Sequence, residues 1–92
     1  MDNHFYVAAF KSRRQVFVLE SQLRRAGYMV QAISTPRGIS LGCGLSVMFQ
    51  ANAMAMVRAQ VRALGAASHT FLGIYECQRR PDGSLQVTPM PG

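Results

Sequence analysis

Residues 4–27 read HFYVAAFKSRRQVFVLESQLRRAG, and inside this stretch the hydrophobic period changes from that of a strand to that of a helix. From His4 to Phe10 every position after the first is apolar, with three aromatic rings, as expected of a strand covered on both faces. Lys11 breaks the run. Ser12-Arg13-Arg14-Gln15 then fits a capping box, in which the serine oxygen accepts from Gln15 N–H and Gln15 can reach back. Val16, Leu19, Leu23 and Ala26 follow at helical spacing, and Gly27 supplies a C-terminal stop. The spacing predicts a helix over 13–26, fed by a strand.

Working outward, YMVQAIS at 28–34 reads as a second strand, closed by Thr35-Pro36, and GLSVMFQ at 44–50 as a third. Asn52 can cap a second helix, whose Met54, Val57, Val61 and Leu64 share one stripe and whose end is Gly65. TFLGIYEC at 70–77 reads as a fourth strand. The Pro81-Asp82-Gly83 turn, followed by Leu85 and Val87 in alternation, predicts an extra hairpin strand; Pro89 and Pro91 imply an irregular tail beyond Thr88. The order β-α-β-β-α-β implies a ferredoxin-like α+β sandwich: an antiparallel sheet in strand order 4-1-3-2 with two helices on one face. Residues 1–77 then form the domain, and 78–92 a C-terminal hairpin and tail. Such a topology gathers Lys11, Arg13, Arg14, Arg37, Cys43 and His69 at one end of the sheet, with His4 and Cys77 at the other. It also places Phe5, Val7 and Ala9 on one face of the first strand and Tyr6, Ala8 and Phe10 on the other; helices cover one face, and the second is to be covered by a partner subunit or by the 84–88 strand.

At 92 residues the chain is long enough for one domain. Ten Lys and Arg against four acids give +6, which favours acidic partners of whatever kind. The start MDNHFYV lacks a basic segment followed by an apolar one, so no secretory signal is expected. Residues 38–57 carry no charge, but Gln50, Asn52, two serines and three glycines interrupt them, which argues against a membrane helix. Two cysteines, Cys43 and Cys77, do not make a disulfide framework, and a reducing cytoplasm is the expected compartment.

The segment 35–47, TPRGISLGCGLSV, places a thiol among glycines. A nucleophilic cysteine needs thiolate character, access and little steric cover, and Gly42 and Gly44 remove side chains from the approach to Cys43. The competing reading is a small filler in a glycine-built turn, and spacing alone favours it. Arg37 reads either as an anion-orienting group or as a solvated loop arginine; Thr35 and Ser40 serve as hydrogen-bond donors or as turn residues. His69 reads as a surface turn residue. Cys43, Cys77, His4 and His69 show no C-x-x-C or H-x-x-x-H spacing, so no metal is expected, and the glycines lack the Gly-Lys-Ser/Thr ending of a phosphate loop. No cofactor follows from the residues. Recognition of RNA on such a sheet needs aromatics on the central strands, whereas GLSVMFQ has only Phe49 and the arginine pairs are dispersed, which argues against nucleic acid. A regulatory small-molecule or RNA-binding module nevertheless stands as the alternative to sulfur chemistry.

Thr35, Pro36, Arg37, Ile39, Ser40, Cys43 and Gly44 spell Thr-Pro-Arg-x-Ile-Ser-x-x-Cys-Gly. The segment closely resembles the motif of the selenium/sulfur carrier-like family of small bacterial domains, and the resemblance in layout extends through Gly73-Ile74-Tyr75 to about residue 77. It implies that Cys43 holds sulfur or selenium as a persulfide or selenyl-sulfide, with Thr35, Arg37, Ser40, Gly42 and Gly44 forming the binding loop. It further implies a carrier rather than a turnover enzyme, served by a cysteine desulfurase or a selenium-metabolism enzyme. A homodimer through the open sheet face is also expected. Gly38 stands where the family often has a larger, frequently acidic residue.

Overall fold

The computed structural model describes residues 3–39 and 44–91, with backbone alone at 66 and 67. Strand β1 (His4–Phe10) leads into helix α1 (Arg13–Arg25), which Ser12 caps by accepting from Gln15 N–H at 3.4 Å. The helix closes through paired bonds, Gly27 N–H to Arg24 O and Tyr28 N–H to Leu23 O, each 3.0 Å. Gly27 sits at φ +93°, where a side chain would be strained. This closure explains why β2 is short, Gln31–Ser34 rather than 28–34: the N–H of Tyr28 is already committed to the helix end.

Strand β3 (Leu45–Phe49) is followed by a 3-10 turn at Ala51–Ala53 and then α2 (Met54–Arg62). Asn52 lies within that turn, and α2 starts with no side-chain cap at Ala53; the expected asparagine cap is corrected. A second 3-10 segment, Gly65–Thr70, leads to β4 (Phe71–Arg79), and β5 (Leu85–Pro89) completes a hairpin. Asp82 shapes its turn by accepting from Ser84 N–H and Oγ–H at 2.9 and 2.7 Å. The chain stays ordered past Thr88, since Met90 N–H donates to Ile74 O at 2.9 Å.

All strands pair antiparallel in the order β2-β3-β1-β4-β5. The expected arrangement counted four strands with a fifth as an addition; here β5 takes the edge. Cys77 is therefore on an interior strand between β1 and β5, not on an edge strand as expected. Among the described residues no helix is long and apolar enough to cross a membrane.

Two apolar layers flank the sheet. On the helix side, Ala8, Phe10, Val47, Phe49 and Ile74 meet Val16, Leu19 and Leu23 of α1 and Val57 of α2. On the other side Phe5, Val7, Met48 and Cys77 form a smaller cluster. Leu85 and Val87 of β5 pack against it, so the strand at 84–88 supplies cover, as one of the two expected alternatives. A second cover, Ile39 from the loop after β2, was not anticipated.

Candidate functional site

The candidate loop leaves the sheet at Ser34 and returns at Leu45, and its base is tightly tied. Thr35 N–H donates to Gly44 O at 2.9 Å, extending the β2–β3 ladder by one bond. The Thr35 hydroxyl shares a 2.7 Å hydrogen bond with Ser46 Oγ, and both side chains are buried. A Cβ on Gly44 would lie 3.1 Å from Thr35 Oγ1 and 3.5 Å from the carbonyl oxygen of Phe10. A side chain there would press on the threonine, which would have to give by a few tenths of an ångström. Thr35 thus acts first as an anchor for the loop, and Ser46, which the sequence presents as one more polar residue in a strand, is its buried partner.

Beyond the anchor, Pro36 to Ile39 make a turn closed by Ile39 N–H donating to Pro36 O at 2.9 Å. This turn lies over the helix-free face. Ile39 packs on the Phe5–Val7–Met48–Cys77 cluster, and a Cβ at Gly38 would meet Val87 Cγ2 at 3.3 Å. Val87 pairs with Cys77, which pairs with Phe5, so the turn reaches back toward the start of β1. Apolar contact draws it there: Ile39 finds buried surface on the face that no helix covers.

That placement corrects the expected gathering of cations. Lys11 stays at the end of β1, donating N–H to Thr70 O at 2.7 Å, with the start of α1 beside it and His69 exposed in the adjoining 3-10 segment. Arg37 is exposed on a turn that runs across the sheet face instead. Thr35 and Gly44 are brought together; Ser40, Gly42 and Cys43 lie outside the described residues. Ile39 of the loop shares a cluster with Cys77, while the expected separation of Cys43 from Cys77 rests on a residue outside the described ones.

Cys77 is a fully buried free thiol. Burial, and secondarily the neighbouring Glu76 carboxylate, push its pKa up from 9.0 to about 11. A buried, protonated thiol is a poor nucleophile. Among the described residues no three His, Cys, Asp or Glu side chains converge as a metal-ligand set. Nor does the sheet offer a stacking platform of the kind RNA-binding sheets use: Phe5 is buried under the loop and β5, while Phe49 faces the helices and stacks on Tyr6 at 5.8 Å.

No curated protein and no solved structure matches the chain. Residues 5–76 match the family described as "Putative Se/S carrier protein-like", a span that runs from the first buried residue of β1 to Glu76 of β4 and includes the whole anchored loop. With about three quarters of its length so matched, the chain belongs to that Se/S carrier-like family.

Proposed function

We infer that this domain is a ferredoxin-like sandwich extended by one edge strand, and that it carries sulfur or selenium on Cys43. The observation that carries the reading is the fate of the other thiol. Cys77 is buried and held protonated, so the family's cargo chemistry falls to Cys43. The anchored base supports it further: Thr35, Gly44 and Ser46 fix where the loop leaves and rejoins the sheet. Glycine stands on either side of Cys43 in the sequence and adds no side chain next to the thiol.

A donor persulfide, such as that of a cysteine desulfurase, transfers its outer sulfur to the Cys43 thiolate. The donor's S–S bond breaks, a new S–S bond forms on Cys43, and the donor cysteine leaves as thiolate, so the exchange needs no external oxidant. Selenium would follow the same course, giving a selenyl-sulfide. The test is mass spectrometry of the intact protein and its peptides after incubation with a cysteine desulfurase and cysteine, and separately with a selenium donor. A sulfur or selenium adduct mapped to Cys43, lost in Cys43→Ser and kept in Cys77→Ser, is the expected result. Persistence of the adduct in Cys43→Ser sinks the reading.

A further inference from the structure

The outward face of α1 is built unlike a solvated helix surface. Phe17 and Val18 are 49% and 41% exposed, two of the three large apolar side chains among the described residues that the fold leaves in water. At a helical period of about 3.6 residues, Arg14, Phe17, Val18, Ser21 and Arg25 share the stripe opposite buried Val16, Leu19 and Leu23. These residues with Gln22 line a shallow groove of about 500 Å³. Val18 and Gln22 also rim a second cleft of about 270 Å³ between α1 and α2, floored by Phe10, Leu19, Val61 and Leu64.

Charge narrows what can sit there. The two helices carry six arginines, at 13, 14, 24, 25, 58 and 62, and a single acid, Glu20. That acid is taken up by Ala32 N–H at 2.7 Å and by Arg24 Nη2 at 3.3 Å, so it offsets Arg24 rather than Arg14 or Arg25 of the stripe. A second copy of this face would meet the same sign of charge. RNA would find one exposed ring on the stripe rather than the series of rings that stacks single strands. A membrane would find two apolar side chains bounded by Arg14, Ser21, Gln22 and Arg25, too few for an interfacial helix.

We propose that the outward face of α1 docks an acidic protein surface that projects an apolar side chain, with the carboxylates meeting Arg14 and Arg25 and the apolar group lying on Phe17 and Val18 toward the interhelical cleft. Arginine flanking an aromatic anchor is the composition that dominates protein interfaces. The N-terminal end of this stripe follows directly on the end of β1, where the base of the loop is tied. The docking does not depend on Cys43 chemistry, and it is tested without any cargo.

The test is an NMR titration of the full chain with four probes: an acidic helical peptide bearing leucines along one face, polyglutamate of equal charge, oligouridylate, and phosphatidylglycerol vesicles. The leucine-bearing peptide should perturb amides of α1 and bind about tenfold or more tightly than polyglutamate. Phe17→Ala should weaken it by a similar factor, Arg14→Glu with Arg25→Glu should abolish it, and added salt should weaken it. Met29→Ala, at the third exposed apolar side chain and off this stripe, should leave it unchanged. Equal binding of polyglutamate, preferential binding of RNA or vesicles on this face, self-association lost in Phe17→Ala, or no binding of the peptide each overturns the proposal.

Discussion

At Cys77 the thiol is neutral in the folded protein far above the pH at which an ordinary cysteine ionises, and stability inherits that shift. Folding holds the proton more tightly than the unfolded chain does, so the contribution is complete below about pH 9 and is lost as pH rises through about 11. The shift corresponds to roughly 2–3 kcal/mol at 1.36 kcal/mol per unit. Denaturation followed from pH 8 to 11 should show a loss of stability in the parent protein that is reduced by that amount in Cys77→Ala. Parallel slopes in the two would mean the thiol is not buried in solution. A second expectation concerns the loop anchor. Gly44→Ala presses its methyl on Thr35 Oγ1, so it should cost about 1–3 kcal/mol in the parent. In a Thr35→Ala background the added cost should shrink, giving a coupling of at least ~0.5 kcal/mol in a double-mutant cycle. Additive effects would leave the contact without energetic meaning. The cysteine and the glycine were both visible in the sequence, but neither role was: burial of Cys77 depends on β5 and Ile39, which reach it from eight or more residues away.

Among the elements, α1 was read almost residue for residue, because its signals are local. Ser12, the apolar spacing and Gly27 act within one or two turns, and the helix ends where they say. What the pattern could not show is how α1 holds β2. The Glu20 carboxylate caps the N–H of Ala32 on the free edge of the sheet, twelve positions along the chain, and Arg24 adds a bond to Val30 O at 3.3 Å. Glu20→Ala should therefore cost about 1.5–3 kcal/mol, the range for a hydrogen bond to a charged group. It should also speed hydrogen exchange at Ala32 selectively over Val47, its neighbour in the middle of the sheet. Uniform acceleration would point to a general loss of helix instead. The second helix was less legible for the same physical reason: Asn52 is a good cap by type, yet a 3-10 turn consumes that position and packing of Val57, not a cap, sets where α2 begins.

At the scale of the whole molecule, the helix-free face joins the two ends of the sequence's open questions, the loop and the C-terminal strand. Alternation in β1 announced a second apolar face, and Leu85 and Val87 announced a strand to meet it. The fold of the loop over that face was not readable, since Ile39 sits in a turn-forming stretch with no periodicity. Val87 bounds the space beside Gly38, so the two covers adjoin, which predicts coupling between Ile39 and Val87, 48 residues apart in the chain. Val87→Ala removes a half-buried group, at a cost of roughly 1–2 kcal/mol. It should do two further things that a strand held only by its backbone ladder would not. Exchange at the Ile39 amide, closed by its bond to Pro36 O, should accelerate, and Cys77 should become reactive toward a thiol reagent while circular dichroism still reports the folded state. Ser46→Ala, which loosens the loop at its anchor instead, should accelerate Ile39 with less effect on Cys77, because Leu85 and Val87 remain over that thiol. If Val87→Ala leaves both the Ile39 amide and Cys77 as protected as in the parent, the loop and β5 cover the face independently, and motion in the cargo loop has no route to the buried thiol through β5.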